Sequence, residues 1–149
     1  MIEVIIASAI SLVVILGIAE ALVQLNRENA GIKLDLSFIQ FGIWPMLFPV
    51  YPSACTAAIG GQPFTIGGTN AIAYKDPSGV VVNVGSVFNL MTFTKIQITD
   101  LGTTGVPNQY NAQLDFQARK PPSAGGSPFM NRQTNARILY NAGTVQLCF

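Results

Sequence analysis

Apolar residues dominate the first 25 positions of the chain. Val4 to Ala19 carries no charged residue, and as a helix it would extend about 24 Å, against about 30 Å for the hydrocarbon core of a bilayer. Extending this helix to Leu25 spans the bilayer but includes Glu20. A cleaved signal peptide is the alternative, but Glu3 stands where such a peptide carries Lys or Arg, and no small-residue cleavage pattern follows. The pattern predicts a retained membrane-spanning helix over residues 1–25.

The helical pattern continues past the apolar segment. One set of apolar residues recurs at spacings of four, three and four, which is one face of an α-helix: Ile32, Leu36, Ile39 and Ile43. A second set broadens this stripe on its other side: Leu34, Phe38 and Phe41. Pro45 cannot donate a backbone hydrogen bond and disfavours helix in the residue before it, so we expect the helix to end within residues 42–44. Residues 26–44 are therefore an amphipathic continuation of the same helix.

Residues 45–149 carry the signals of an antiparallel sheet. Tyr110 to Arg119 alternates most clearly, with one inward-facing set: Tyr110, Ala112, Leu114, Phe116 and Ala118. Leu90 to Thr99 also resembles a strand, with Ile96 and Ile98 on one face and Phe93 on the other. These strands predict a β-sheet head, and the whole chain is predicted to be α+β, with the second half of the helix packed against the sheet.

Two turns predict hairpins within this head. Asp76-Pro77-Ser78-Gly79 fits a type I turn, which would join strands at 71–75 and 80–84. Asn141-Ala142-Gly143 places a glycine where positive φ is needed, which would join strands at 136–140 and 144–149. We therefore expect a sheet of meander type.

Two segments of the head are predicted to be loops. The glycine-rich segment at 60–68 lacks the Gly-Lys-Ser/Thr ending and the following helix of a phosphate-binding loop. The segment from Lys120 to Gln133 is rich in Pro, Gly and Ser, and a loop of this length is often either a binding loop or simply mobile. Its candidate exposed residues are Lys120, Pro121, Pro122, Gly125 and Gly126.

Composition narrows the chemistry that the chain can perform. Only 10% of the 149 residues are charged, and the net charge of +1 comes without a basic cluster, so we expect no binding to nucleic acid. Histidine is absent, which removes the usual general base and the commonest metal ligand. We find no pattern of nucleophile and base, no metal-ligand set and no paired carboxylates, and we therefore predict neither an enzyme nor a bound cofactor.

The two cysteines, Cys55 and Cys148, lie far apart in the sequence. In a chain that has the pattern of an exported protein, an even pair favours a disulfide over two free thiols, provided that the fold brings the two residues together.

The N-terminal segment "MIEVIIASAISLVVILGIAEAL" resembles the start of mature type IV pilins and their pseudopilin relatives. The strong match covers about the first 27 residues, and the helix followed by a β-rich head and a cysteine next to the C-terminus supports it. The glutamate differs in position: it is normally the fifth mature residue of the family, and here it is Glu3. We therefore expect two mature residues upstream of Met1. No proline interrupts residues 1–44, although family members often carry one there, so Gly17 is the weak point of this helix.

The resemblance implies a role in assembly for the N-terminal helix. In this family the glutamate, here Glu3, pairs with the N-terminal amine of a neighbouring subunit, which makes it and Met1 the assembly residues. A carboxylate inside hydrocarbon costs about 2.5–3.5 kcal/mol, so Glu3 gains most when it meets such a partner. The alternative places Glu3 at the lipid headgroups without a partner. Residues expected in the filament core are Val4, Ile5, Ile6, Leu12, Val13, Leu16, Gly17 and Leu22.

Three functions are compatible with these features. The resemblance favours a structural pilin, processed by prepilin peptidase and handled by a pilus assembly machinery, which leaves the bacterial inner membrane to form an extracellular homopolymeric filament. The alternative is a pseudopilin of a type II secretion system. A membrane-anchored binding domain that does not polymerise is the third.

Overall fold

The computed structural model describes the backbone of residues 2–149 and the side chains of residues 12–149. It is an α+β fold in which one long helix, α1 (Ile2–Met46), precedes an antiparallel sheet. The predicted end of this helix, within residues 42–44, is wrong by a few residues. Pro45 removes only one hydrogen bond in the last turn, and the Thr134 hydroxyl donates a hydrogen bond to the Pro45 carbonyl at 3.0 Å.

A second helix, α2 (Pro52–Ile59), was not predicted. Pro52 occupies its first turn, where the missing N–H has no partner to lose, and three alanines favour helix in the remaining positions. Cys55 lies on the buried face of this helix. The proline-rich segment after α1 is therefore a tight connection between two helices.

Eight strands follow, in two sheets. The larger sheet contains β1 (Thr69–Ala71), β4 (Val87–Phe88), β5 (Met91–Thr103), β6 (Gln109–Arg119), β7 (Phe129–Asn141) and β8 (Thr144–Cys148). The smaller sheet is the hairpin of β2 (Tyr74–Lys75) and β3 (Val81–Val82). In the larger sheet the order is β1-β5-β6-β7-β8, and β4 pairs with β5. The predicted meander is present from β5 to β8, but β1 pairs with β5 rather than with the next strand in the chain, and the first hairpin lies outside the larger sheet. Both predicted hairpins are confirmed, although the strands of the first one are shorter than expected.

The turn of the first hairpin is held by the carboxylate of Asp76. This group accepts hydrogen bonds from the backbone N–H groups of Ser78 and Val80 and from the Ser78 hydroxyl. These bonds, led by that of the hydroxyl, lower the pKa of Asp76 below its usual value. The charged form of the side chain is thus the one that stabilises the turn.

The prediction for the faces of β5 is wrong. Phe93, Ile96 and Ile98 are all buried on the same face, whereas strict alternation places Phe93 opposite the two isoleucines. The pairing with β6 shifts register between Phe93 and Lys95, and such a bulge inserts one extra residue into the strand. The extra residue lies in β5, and the pairing of β6 with β7 contains no register shift. Four of the five predicted inward-facing residues of β6 are buried and Tyr110 is half-buried against the core, whereas Asp115 is buried although alternation places it on the other face.

An aromatic cluster joins the second half of α1 to the sheet. Phe38 and Phe41 both face the head. The centroid of the Phe41 ring lies 4.7 Å from the centroid of the Phe93 ring and 5.8 Å from that of the Phe116 ring. Tyr74 completes the cluster at 5.3 Å from Phe41, and burial raises its pKa. The predicted packing of the helix against the sheet is therefore present, and aromatic side chains supply most of it.

A disulfide closes the head. Cys55 and Cys148 are bonded across a sequence separation of 93 residues, which confirms the predicted pair. The bond connects α2 to β8, and the Cys148 N–H also donates to the Thr56 hydroxyl at 2.9 Å.

Candidate assembly interface

The first half of α1 exposes apolar side chains in every direction from Leu12 to Leu25. Four of the residues predicted for a filament core, Leu12, Val13, Leu16 and Leu22, are between 55% and 68% exposed. Gly17 is also open, because a Cβ placed there would meet no atom within 4 Å. This segment lies beyond the head and touches none of its core, so its apolar surface is free to bind another molecule.

From residue 26 to residue 43 the exposed apolar surface narrows to a single stripe. Its members are those of the first set identified in the sequence, and they are 40–57% exposed: Ile32, Leu36, Ile39 and Ile43. The side chains that pack on the head are those of the second set, and they are at most 8% exposed: Leu34, Phe38 and Phe41. The two sets lie on opposite sides of the helix because they are offset by two residues, or about 200°. The head therefore leaves the stripe uncovered.

A loop of the head clamps the middle of α1. The Gly125 N–H donates to the Arg27 carbonyl at 2.9 Å, so the two backbones are in direct contact. Gly31 faces the same loop, and a Cβ there would collide with the Gly125 carbonyl oxygen. Glycine at these two positions permits this close approach.

An ion pair fixes the same clamp. The Lys120 ammonium lies 2.7 Å from the Asp35 carboxylate, and the side chain of Lys120 is only 2% exposed, whereas that of Asp35 is 47% exposed. The prediction of an exposed loop is therefore wrong at Lys120. Pro122 and Gly126 are exposed, as predicted, whereas Pro121 and Gly125 are half-buried. The prediction that this loop extends to Gln133 is also wrong, because β7 begins at Phe129.

The face of the sheet that points away from α1 is mainly polar, although Phe129 and Leu147 on this face are 44% and 47% exposed. Cross-strand pairs of side chains run along it, including Gln117 with Asn131 at 2.9 Å and Lys95 with Asp115 at 3.4 Å. A face of this composition is stable in contact with water. The molecule thus has an apolar helix stripe on one side and a hydrophilic sheet on the other.

Five residues predicted to act in assembly lie outside the described side chains: Met1, Glu3, Val4, Ile5 and Ile6. Their proposed roles stay predictions. Among the described residues, no helix has the length and hydropathy required to cross a membrane. The same part of the chain contains no group of three or more His, Cys, Asp or Glu residues able to hold a metal ion.

Sequence reasoning missed the clamp between the loop and the helix. Asp35 and Lys120 are 85 positions apart, and a half-exposed carboxylate on a helix has no distinguishing pattern. The glycines offered a weak signal, because Gly31 interrupts a helix in which it costs about 1 kcal/mol relative to alanine. Such a residue within an otherwise regular helix indicates a close approach by another segment.

Comparison with known proteins gives no match to any family model, curated protein or solved structure.

Proposed function

We propose that this protein is the structural subunit of a filament of the type IV pilus class, in which α1 forms the core and the sheet forms the outer surface. The observation that carries the proposal is the apolar surface that runs along α1 from Leu12 to Ile43 and lies opposite the head. A surface of this length needs cover, because monomeric proteins rarely leave a continuous apolar patch of such size in water.

The geometry of α1 suits a filament core. Its described end-to-end length, Ile2–Met46, corresponds to about 66 Å of helix. Because the head packs on Phe38 and Phe41, neighbouring copies can approach the helix from the stripe side without displacing the head. Burying the remaining exposed area of the four residues of the stripe from Ile32 to Ile43 contributes roughly 1 kcal/mol each.

The head suits the outer surface of such a filament. Its sheet turns polar side chains away from the helix, and its disulfide gives stability in an oxidising medium. Under this proposal the chain is held in the inner membrane before assembly, and it polymerises with further copies of itself.

A pair of substitutions tests this function. Leu36→Asp places a carboxylate in the stripe, and Ala30→Asp places the same group at an exposed position of the same helix outside it. We expect the first variant to abolish surface filaments in electron micrographs of sheared cells and the second to retain them. Heads that melt at the same temperature in both variants would show that folding is not the cause. Normal filaments from Leu36→Asp would contradict the proposal.

Glu3 provides a second test of the same function. Glu3→Ala should leave the head folded and the chain in the membrane fraction while it slows or abolishes filament growth, because only the assembled state would pair this carboxylate. Normal filaments from that variant would return Glu3 to the alternative at the lipid headgroups.

A further inference from the structure

The exposed stripe of α1 has the repeat of a parallel coiled coil. From Ile15 to Ile43, nine residues follow spacings of three and four in strict alternation: Ile15, Ile18, Leu22, Leu25, Asn29, Ile32, Leu36, Ile39 and Ile43. This is a seven-residue repeat in which the first and fourth positions, a and d, are occupied through four full repeats. We call these nine residues the seam. The eight apolar members are 40–63% exposed, and Asn29 is exposed too.

The head occupies positions of the repeat that point away from this seam. Leu34 and Phe41 take position f, and Phe38 takes position c, which lie on the far side of the helix from a and d. The head reaches one flank of the seam as well, at position g, where Asp35 pairs with Lys120 and Gly42 lies against the Arg132 side chain. Two copies can therefore join their helices along the seam with the two heads on opposite outer sides. The seam is about 42 Å long. In a membrane its part from Asn29 to Ile43, about 21 Å, pairs by removing apolar surface from water, and its part from Ile15 to Leu25 pairs by side-chain packing in lipid.

Charges beside the seam specify its orientation. Glu28 occupies position g, and Lys33 occupies position e of the next repeat. In a parallel, in-register pair the g residue of one helix faces the e residue of the following repeat on the other helix, so Glu28 would meet Lys33 of the second copy. Among the described residues neither of these two side chains forms an ion pair within its own chain. An antiparallel pair would not bring them together in this way.

Asn29 specifies the register. It is the one polar member of the seam between Ile15 and Ile43, and it occupies an a position. A buried Asn in a coiled coil hydrogen-bonds to the same residue of the partner, and any axial shift leaves both amides facing apolar side chains. The cost of such a shift selects the pair in which the two Asn29 residues face each other.

We propose that a second copy of this chain binds along this seam, parallel and in register, to form a closed pair. The proposal goes beyond the filament, because successive subunits of a helical polymer are displaced along its axis and cannot all be in register. Pairing and filament growth use the same stripe, so the closed pair is a form that must open before its subunits enter a filament. Isoleucine at three of the four d positions would by itself favour three or four helices, and Asn29 at an a position specifies the two-stranded form.

Cysteine crosslinking tests the in-register contact in the full chain in membranes. Ile32→Cys introduces a thiol at a d position, and Ala30→Cys introduces one at an exposed position outside the seam, while the native disulfide keeps Cys55 and Cys148 unreactive. On mild oxidation we expect the first variant to give at least about fivefold more covalent dimer than the second, because identical d residues face each other in such a pair. Equal yields would overturn the proposal. So would a mixture of Ile32→Cys and Ile39→Cys chains in which dimers that join position 32 to position 39 form as readily as dimers that join position 32 to position 32.

A charge exchange provides the second arm. Glu28→Lys should lower the dimer yield of Ile32→Cys by about threefold, since it replaces two attractive contacts with repulsion. Adding Lys33→Glu should restore the yield. Residues five apart lie about 140° apart on one helix and do not touch, so restoration requires the second chain. A double variant that stays as weak as Glu28→Lys would overturn the pairing.

Failure of the pair and failure of the filament give different results. Dimers that respond to the charge exchange in cells without filaments would support the pair and count against the filament. Filaments formed by chains that give no crosslink between identical positions at any stage would support the filament and overturn the pair.

Discussion

Phe41 and Ile39 face opposite sides of the same turns of α1, and this difference predicts opposite consequences for their replacement by alanine. Phe41 is 8% exposed and lies among the rings of Phe93, Tyr74 and Phe116 at 4.7–5.8 Å. Removing a buried phenylalanine of this kind costs about 3–5 kcal/mol, because the aromatic contacts are lost and a cavity remains. Ile39 is 40% exposed and belongs to the uncovered stripe, so Ile39→Ala should change the stability of the head by less than about 0.5 kcal/mol.

Urea unfolding of the full chain in mild detergent measures the difference. Trp44 is the single tryptophan and lies in a groove with Phe48 and Tyr74, so its fluorescence reports the packing of the helix on the head. With an m-value of about 2 kcal/mol/M, a loss of about 4 kcal/mol lowers the unfolding midpoint of Phe41→Ala by about 2 M. The midpoint of Ile39→Ala should remain within about 0.3 M of the native value. Similar losses in both variants would refute the assignment of the two faces.

Three further predictions concern the clamp and the disulfide. Asp35→Ala should lower the melting temperature of the head more than Lys120→Met, because the first leaves a buried ammonium without its partner and the second removes the ammonium. A larger loss in Lys120→Met would contradict the ion pair. Gly31→Ala should lower the hydrogen-exchange protection of the Gly125 amide, although alanine has the better helix propensity. Gly17→Ala, whose new methyl group meets no atom, should stabilise the helix by about 1 kcal/mol. Unchanged protection in Gly31→Ala would be inconsistent with the contact between Gly31 and the loop. Reduction of the disulfide should lower the free energy of unfolding by about 4–5 kcal/mol in urea titrations, since the bond closes a long loop; an unchanged midpoint would show that the bond does not constrain the unfolded chain.

The elements that the sequence predicted well are those in which one periodicity operates without interruption. In β6, alternation from Tyr110 to Ala118 matches the buried face, with Asp115 as the exception, because its pairing with β7 contains no register shift. In β5 the same reasoning failed at Phe93, since a bulge depends on how two strands fit together and has no local signature. Alternation therefore predicts a face only as far as the next irregularity.

The faces of α1 show a different limit. The sequence contains two apolar sets on this helix, and hydrophobicity alone does not say which one binds the head. The aromatic set with Phe38 and Phe41 binds it because large rings fill the space between the helix and the sheet. The aliphatic set remains outside, and its seven-residue repeat with Asn29 was readable in the sequence once the two sets were separated.

The candidate interface was predictable in part for the same reason. Leu12 to Leu22 are exposed because nothing in the head is long enough to cover them, and their place in a filament core stays a prediction. The clamp formed by Asp35 and Lys120 depends on a contact between distant segments and could be found only in three dimensions.

A near-atomic electron microscopy map of filaments sheared from cells would show whether the stripe of α1 opposite the head is the assembly surface. We expect a filament whose density fits this chain, with Ile32, Leu36 and Ile39 buried against neighbouring helices and the polar face of the sheet exposed to water. Filaments in which these three side chains face water, or cells in which the protein remains unassembled in the membrane fraction, would contradict this expectation.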